Sequence, residues 1–364
     1  MDMLIRRFRV MIVLVFTCLL GGHVAAFQNT LVPDKIDRLK NVLPLSDAQK
    51  TMIRTYSEHW VKQLKEGDPS EVQQARNKLT QPFRSITGRE ASRMFRDIYS
   101  DSTLSTLKDI IEGGNAYRAI NAMQVAAAIG TSASLSVLDN HIEPELEDNP
   151  QVRLWAAIGI SRCLEIPSIS SDKLKTSLRA LVRAAEVEDN PLVLRREMET
   201  LDAAVRNERE DRQVIRDFAL EGEIDILKTT IDRLESGKAP ADLILAIQPS
   251  LLLIRNQYID PRIQREKLAD EIARRTAPQL GRLYDVILVN ESTIRQSPEL
   301  TKVTGQILDT SETTLKLMDS NLRNGQSAPN VTSGRDLWDK GNLSGLAESR
   351  DKWQVVLATR PYKN

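Results

Sequence analysis

Hydrophobic residues recur at spacings of three and four along most of the chain after residue 34. The segment 46–64 carries this stripe on Met52, Ile53, Tyr56, Trp60 and Leu64. Such a period is typical of an amphipathic α-helix. No run alternates apolar and polar residues over the length of a strand, and no β-hairpin is predicted. The sequence therefore predicts an all-α fold.

Helix start and stop signals divide the chain into short segments. Asp68-Pro69 predicts a helix start, because Asp caps free N–H groups and Pro fits the first turn. Gly113-Gly114 predicts a helix end, since glycine accepts the left-handed conformation found there. Pro249 is predicted to end the segment that begins at residue 241. In the segment that begins at Pro298, an apolar stripe from Leu300 to Leu322 spans about six turns.

An internal repeat lies in the middle of the chain. The stretch "DNPQVRLWAAIGI" at 148–160 recurs as "DNPLVLRREMETL" at 189–201, with Pro150 and Pro191 in register. A looser copy, "NAYRAINAMQVAAAIG", occupies 115–130, and shorter helical segments lie between the copies. Two helices in a period of about 35 to 45 residues are typical of an α-solenoid.

The first of these copies resembles the second helix of a HEAT repeat. That helix often begins with Asp or Asn, Pro, any residue, Val and Arg before an alanine-rich face, and Asn149 to Arg153 fit this pattern. The resemblance covers roughly residues 115–207, with one close unit and two degraded ones. In the later copy Leu194 stands at the arginine position and Glu197 at the first alanine. The resemblance implies a HEAT-like solenoid in which Arg153 bridges to a neighbouring turn, but this fold hosts many functions.

These signals give five predicted regions. They are a secretory signal (1–26), an N-terminal helical region (27–113), HEAT-like repeats (114–207), a C-terminal helical region (208–322), and a linker with a docking tail (323–364). In the first region three arginines precede an apolar run, and small residues follow it at 24–26. The protein is therefore expected to be exported to the periplasm or outside the cell, with no stable membrane span after cleavage. A signal retained as a membrane anchor is the alternative.

Composition narrows the classes of partner. Lys and Arg total 50, Asp and Glu also total 50, and the formal net charge is zero. Such a balance creates no global field to attract nucleic acid, so no nucleic-acid partner is predicted. Only Cys163 would remain after signal cleavage, which leaves no internal disulfide.

Few residues suit catalysis or metal binding. His59 and His141 lack ligands at a suitable spacing, so no zinc site is expected. Cys163 lies near the end of its helix, where a thiolate is not stabilised, and is interpreted as a core thiol. The acidic residues of 143–148 precede a helix, whose dipole favours them. No catalytic, metal-binding or cofactor-binding residue is assigned, and no cofactor is expected.

The favoured interpretation is a non-catalytic scaffold that binds a protein partner along the surface of the helical repeats. Trp155 would be an aromatic anchor if it faced outward and a core residue otherwise. One alternative is a self-assembling structural component of the cell envelope or surface, in which the helix 297–322 pairs between copies. Another is a hydrolase with a carboxylate site that the sequence does not reveal. A deep pocket joining Asp or Glu residues of raised pKa would support the hydrolase.

Overall fold

A computed structural model describes residues 33–84, 90–208, 211, 213–265, 268–323 and 329–362. These residues form seventeen α-helices with short 3-10 segments and no strand, which confirms the all-α class. They fall into two compact units that divide between Val137 and Leu138. None of the described helices combines the length and the apolar character that crossing a membrane requires. The signal predicted at 1–26 lies outside the described residues, and the predicted domain boundaries stay predictions.

The first unit is built from helices that pack on their neighbours along the chain. Its helices are α1 (Pro33–Leu39), α2 (Asp47–Glu66), α3 (Pro69–Thr80), α4 (Arg93–Glu112) and α5 (Ala116–Ile129), and α6 (Ser132–Asp139) crosses the boundary. α2 packs on α3 and α4, and α5 packs on the same two helices. The apolar stripe of α2 supplies three fully buried residues, Ile53, Tyr56 and Leu64.

Local signals set where these helices begin and end. Ser46 and Gln49 form a capping box at the start of α2, in which each side chain bonds the backbone N–H of the other. Asp68 caps α3 through two backbone N–H groups, ahead of Pro69 in the first turn. Gly114 follows α4 with φ of 74°, a conformation that favours glycine.

The second unit stacks helices in two layers. Layer A contains α8 (Ser171–Val187), α10 (Gln213–Glu235), α13 (Leu268–Val289) and α17 (Leu343–Leu357), each packed on the next. Layer B contains α7 (Pro150–Cys163), α9 (Pro191–Val205), α11 (Ile244–Tyr258) and α15 (Pro298–Leu322), again each packed on the next. The short helices α12 (Pro261–Arg265), α14 (Glu291–Ile294) and α16 (Gly334–Asp339) lie in the connections. Contacts of α9 with α10 and of α13 with α15 join the layers.

The two close sequence copies become neighbouring helices of layer B, α7 and α9. Asn149 caps α7 and Asn190 caps α9, each accepting hydrogen bonds from backbone N–H groups of the first turn, and a proline follows each cap. Val152, Ala156 and Ile160 of α7 are buried, as the apolar pattern predicts. This pairwise packing is compatible with a helical-repeat solenoid.

The proline at 249 does not end a helix, so that prediction is wrong. α11 runs through Pro249 from Ile244 to Tyr258. An interior proline costs about 3 kcal/mol. The buried side chains of Ile247, Leu251 and Ile254 lie on both sides of it, and each apolar side chain of this size contributes about 1.5–3 kcal/mol when buried. Burial of the stripe therefore outweighs the lost hydrogen bond.

The C-terminal segment packs on the rest of the second unit. α17 lies against α13, and α16 lies against α15. Trp338 and Trp353 are fully buried, and Trp338 Nε1 donates to the Thr301 carbonyl oxygen at 3.0 Å. The apolar face of α15 is covered within the chain by α11, α13 and α16. The helix that was predicted to pair between copies therefore has its apolar face packed within the chain.

Ion pairs join the segments from α6 through the helices of layer A in one direction along the chain. In each pair the cation lies on the later segment and the carboxylate on the earlier one. The pairs are Lys173–Asp139, Arg183–Glu143, Arg233–Asp189, Arg275–Asp225, Arg282–Glu235 and Arg350–Asp285. Most are partly exposed, where such a pair contributes about 0–1 kcal/mol. They therefore favour one order of neighbours more than they add stability.

Candidate functional site

His59, His141 and Cys163 are the residues that the sequence offered for metal binding or catalysis. The ring of half-buried His59 lies 5.0 Å from that of Trp60. His141 Nδ1 lies 3.2 Å from Glu147 Oε2. Cys163 is fully buried, as predicted for a core thiol. Within the described ranges no three or more His, Cys, Asp or Glu residues cluster as metal ligands would.

Arg153 makes the bridge that the resemblance implies. Its Nε and Nη2 donate to the two carboxylate oxygens of Glu188, at 2.7 and 2.8 Å, and its Nη1 donates to the Glu147 carbonyl oxygen at 2.7 Å. Glu188 lies in the turn between α8 and α9, so the guanidinium ties α7 to the next helix pair. Trp155, two residues along, is half-buried, with the Arg162 guanidinium 6.0 Å from its ring centroid.

Glu197 is buried in α9 without a hydrogen-bond partner for either carboxylate oxygen. Burial raises its pKa well above the usual range, and the nearby Glu188 raises it further, while Arg153 opposes the shift. Burial therefore favours the protonated form of this carboxyl. In the later copy the alanine position of the repeat holds a buried polar side chain.

Three helices bring a second buried cluster together. Gln257 of α11 donates from Nε2 to Asp202 Oδ1 of α9 at 3.1 Å and to Glu223 Oε2 of α10 at 2.6 Å. Asp202 also pairs with Arg206. Burial raises the pKa of Glu223 well above its usual range, and the Asp202 charge adds to that shift, while the Gln257 hydrogen bond and Arg206 oppose it. Burial therefore favours the protonated form of Glu223, while Asp202 keeps a cationic partner.

A polar cavity of about 170 Å³, the end cavity, adjoins this cluster at one end of α9 and α11. Its wall contains Asp202, Val205, Arg206, Arg216, Asn256, Gln257, Asp260, Arg262 and Ile263. Glu223 is not part of that wall. The wall presents both signs of charge beside an apolar patch.

A shallow groove, the α10/α13 groove, lies between two neighbouring helices of layer A. Its floor is apolar and is formed by Leu220, Ile224, Leu268 and Ile272. Its rim carries Asp217, Glu221, Glu271 and Arg275. Arg275 pairs with Asp225 at 2.8 Å, whereas Glu221 and Glu271 are exposed and have no cation within ion-pair distance among the described residues. The free charge at the rim is therefore negative.

Sequence reasoning missed these buried carboxyls. Glu197, Glu223 and Gln257 each occupy a position on the apolar stripe of a helix. A charged or amide side chain on such a stripe is the signal that could have found them, because burial without a partner is costly. The charged rim of the α10/α13 groove has no comparable signal, since its residues are ordinary for an exposed helix face.

Comparison with known proteins does not assign a function to these sites. No protein-family model matches the chain, and no curated protein matches its sequence significantly.

Proposed function

We propose that this protein is an exported, non-catalytic scaffold that binds a protein partner along the surface of HEAT-like helical repeats. The α10/α13 groove is the observation that carries the proposal. It combines an apolar floor with two unpaired carboxylates at its rim. The segment 1–26 supplies the export signal, which places the protein in the periplasm or outside the cell.

The size of the groove favours a protein partner over a small-molecule ligand. It encloses about 40 Å³. Sites for drug-sized molecules enclose about 300–1,000 Å³, while a single water needs about 10–15 Å³. A space between these limits accepts the tip of one apolar side chain. Protein interfaces are commonly anchored in this way, by a few side chains seated in small pockets.

The negative charge at the groove rim indicates which residues flank the anchoring side chain of the partner. Glu221 follows Asp217 by one turn of α10, and Glu271 faces them from α13. Carboxylates beside an apolar floor favour Lys or Arg next to the anchoring side chain, which complements them in sign. The proposed partner is therefore an amphipathic segment that carries an apolar anchor between basic residues. Exposed Val214, one turn before Asp217, extends the apolar contact along α10.

Binding of two designed peptides tests this proposal. Both are amphipathic helices with Leu anchors; one carries Lys beside each anchor and the other carries Glu. Fluorescence anisotropy with the full chain is expected to show binding of the Lys peptide alone, weakened by salt because the contacts are exposed. Equal binding of both peptides, or of neither, would contradict the proposal.

A charge-reversal variant tests whether the peptide binds at the α10/α13 groove. The double variant Glu221→Lys/Glu271→Lys is expected to lose the Lys peptide and gain the Glu peptide. Its matched control, Glu58→Lys/Glu348→Lys, makes the same change of charge at two exposed helix positions without ion pairs among the described residues. The control is expected to bind as the wild type does. If both double variants lose binding equally, attraction to net charge explains the result and the groove does not.

Cross-linking in cells extends the test to the natural partner. A photo-reactive residue placed at Asp217 is expected to capture one partner in stoichiometric amount, and the Glu221→Lys/Glu271→Lys change should abolish that capture. Recovery of only the protein itself would favour self-assembly instead.

A further inference from the structure

We propose that the partner bound in the α10/α13 groove extends across α10 and presents acidic residues to α8. The inference rests on the proposed function, because it takes the basic part of the partner at the groove as given. It adds the charge of the partner's other end and the direction in which the segment lies. Two cations of α8 and an aromatic ring of α10 lead to it.

The side of α10 that faces α8 differs from the side that faces α13. Phe218 lies there and is half-buried. The Lys175 Nζ atom lies 5.7 Å from the centroid of its ring, and the Arg179 Cζ atom lies 5.8 Å from it. Gly222, one turn later, lies against the same helix, since an added Cβ would be 2.7 Å from Val182 Cγ2. Cations within about 6 Å of an aromatic face are attracted to it, so the ring holds positive charge beside α10.

The two cations of α8 have no carboxylate partner in the part of the chain that the structure describes. Lys175 and Arg179 lie four residues apart on one helix face, where like charges repel. The ion pairs along layer A place the cation on the later segment. Here the cations lie on the earlier helix and Asp217 and Glu221 on the later one, and no ion pair joins the two sets. The positive charge on α8 is therefore available to a partner.

An apolar strip on α10 connects this positive surface to the α10/α13 groove. Val214 is 56% exposed and precedes Phe218 by four residues, so the two side chains lie on one face of the helix. Leu220 and Ile224 continue the apolar surface into the groove. An interface core commonly contains apolar and aromatic side chains with charged residues at its rim. The strip therefore has positive charge on its α8 side and negative charge on its α13 side.

The spacing of the helices sets the length of the partner segment. Packed helices lie about 8–10 Å apart, so the path from α8 across α10 to α13 is about 16–20 Å. A helix rises 1.5 Å per residue, so about 11–13 helical residues cover this path. The groove accepts the tip of one side chain, and a segment that lay lengthwise along it would leave its other anchors unseated. A segment that crosses α10 instead contacts the groove, the apolar strip and α8 in turn.

Three helical peptides with the same length and the same Leu anchors test the charge of the two ends. The bipolar peptide carries Glu at one end and Lys at the other, the basic peptide carries Lys at both ends, and the acidic peptide carries Glu at both. In fluorescence anisotropy with the full chain, the bipolar peptide is expected to bind at least about fivefold more tightly than either of the others. The reason is that one end of each uniform peptide meets a surface of its own charge.

The outcomes separate this inference from the proposed function. If the basic peptide binds as tightly as the bipolar one or more tightly, the inference is overturned and the groove remains a site for basic segments. If neither peptide binds, the proposed function fails, and the inference fails with it.

Charge reversal on α8 tests where the acidic end lies. Lys175→Glu/Arg179→Glu is expected to reverse the preference, so that the basic peptide binds at least about fivefold more tightly than the bipolar one. The matched control, Arg54→Glu/Lys302→Glu, makes the same change of charge at two exposed helix positions without ion pairs among the described residues. It should keep the preference for the bipolar peptide. Circular dichroism verifies that the variants fold. A bipolar preference that persists in the folded α8 variant would originate in the helicity of the peptide and would overturn the assignment.

Discussion

Replacing Arg153 with Met tests how the turn after α8 holds α7. The guanidinium supplies two donors to the Glu188 carboxylate, which also accepts from the Asn190 backbone N–H, and one donor to the Glu147 carbonyl oxygen. Methionine fills much of the same volume without a donor or a charge. Glu188 has no exposed surface, so its carboxylate would be left in the interior without that cation. The variant therefore isolates the cost of an unpaired buried charge.

The cost follows from the burial of the pair. Breaking a buried ion pair by removing one partner costs about 3–5 kcal/mol. The Asn190 backbone N–H still donates to the Glu188 carboxylate and offsets part of that cost. We expect α7 to lose about 3–4 kcal/mol of local stability at neutral pH.

Amide hydrogen exchange of α7 measures this local opening directly, without assuming that the whole chain unfolds in one step. At neutral pH exchange in the variant should be about 150- to 900-fold faster than in the wild type, after correction for intrinsic rates. Arg183→Met is the control, because the Arg183 side chain is 62% exposed and its pair with Glu143 contributes about 0–1 kcal/mol. Unchanged exchange in Arg153→Met, or an equal effect of Arg183→Met, would refute the reasoning.

Three further outcomes are expected. The pKa of Glu223 is raised in the folded state, so the contribution of Glu223 to stability is complete below about pH 4 and is lost as the pH rises. Amide exchange in α10 of Glu223→Gln should therefore match that of the wild type at about pH 4. At about pH 8 the variant should be better protected than the wild type. Gly281→Leu should loosen the packing of α17 by about 1–3 kcal/mol, because a Cβ at Gly281 would lie 2.5 Å from Leu357 Cδ1. Tryptophan fluorescence should report the exposure of Trp353, and adding Leu357→Ala should partly restore the packing. Cys163 should react with a thiol reagent only after denaturation, and reaction at full rate in the native protein would contradict its burial.

The helix starts were predictable because their signals are local. Asn149 and Asn190 cap their helices through groups two or three residues away, so the sequence alone carries the information. The bridge from Arg153 was implied by resemblance, although its partner Glu188 lies 35 residues away. Local chemistry and a recognised pattern thus account for the ends of the helices and for one tertiary contact.

The extent of the two-layer stacking was not predictable from the repeat. Sequence similarity between units fades after residue 207, yet α10 and α11 and then α13 and α15 continue both layers. Packing requires an apolar stripe on each helix, and it tolerates turns of different length. A stack can therefore persist after the sequence period is lost. Pro249 failed as a stop signal for the same reason, since the stripe of α11 continues beyond it.

The contacts of the buried polar groups could not be deduced from the sequence. Gln257 bonds residues 34 and 55 positions away, on two different helices. Its position on an apolar stripe indicates burial but does not say which neighbouring side chain satisfies it. The end cavity depends on the same long-range placement. Sites of this kind require the register between helices, which the hydrophobic period leaves open.

The one-way order of ion pairs in layer A has a consequence for fragments of the chain. A cut between α11 and α12 would leave the carboxylates of Asp225 and Glu235 on the earlier fragment and the guanidinium groups of Arg275 and Arg282 on the later one. Two copies of the same fragment would meet with like charges, whereas the two different fragments would attract and cover each other's apolar edge. Co-expressed halves should therefore recombine as a heterologous pair rather than as homodimers.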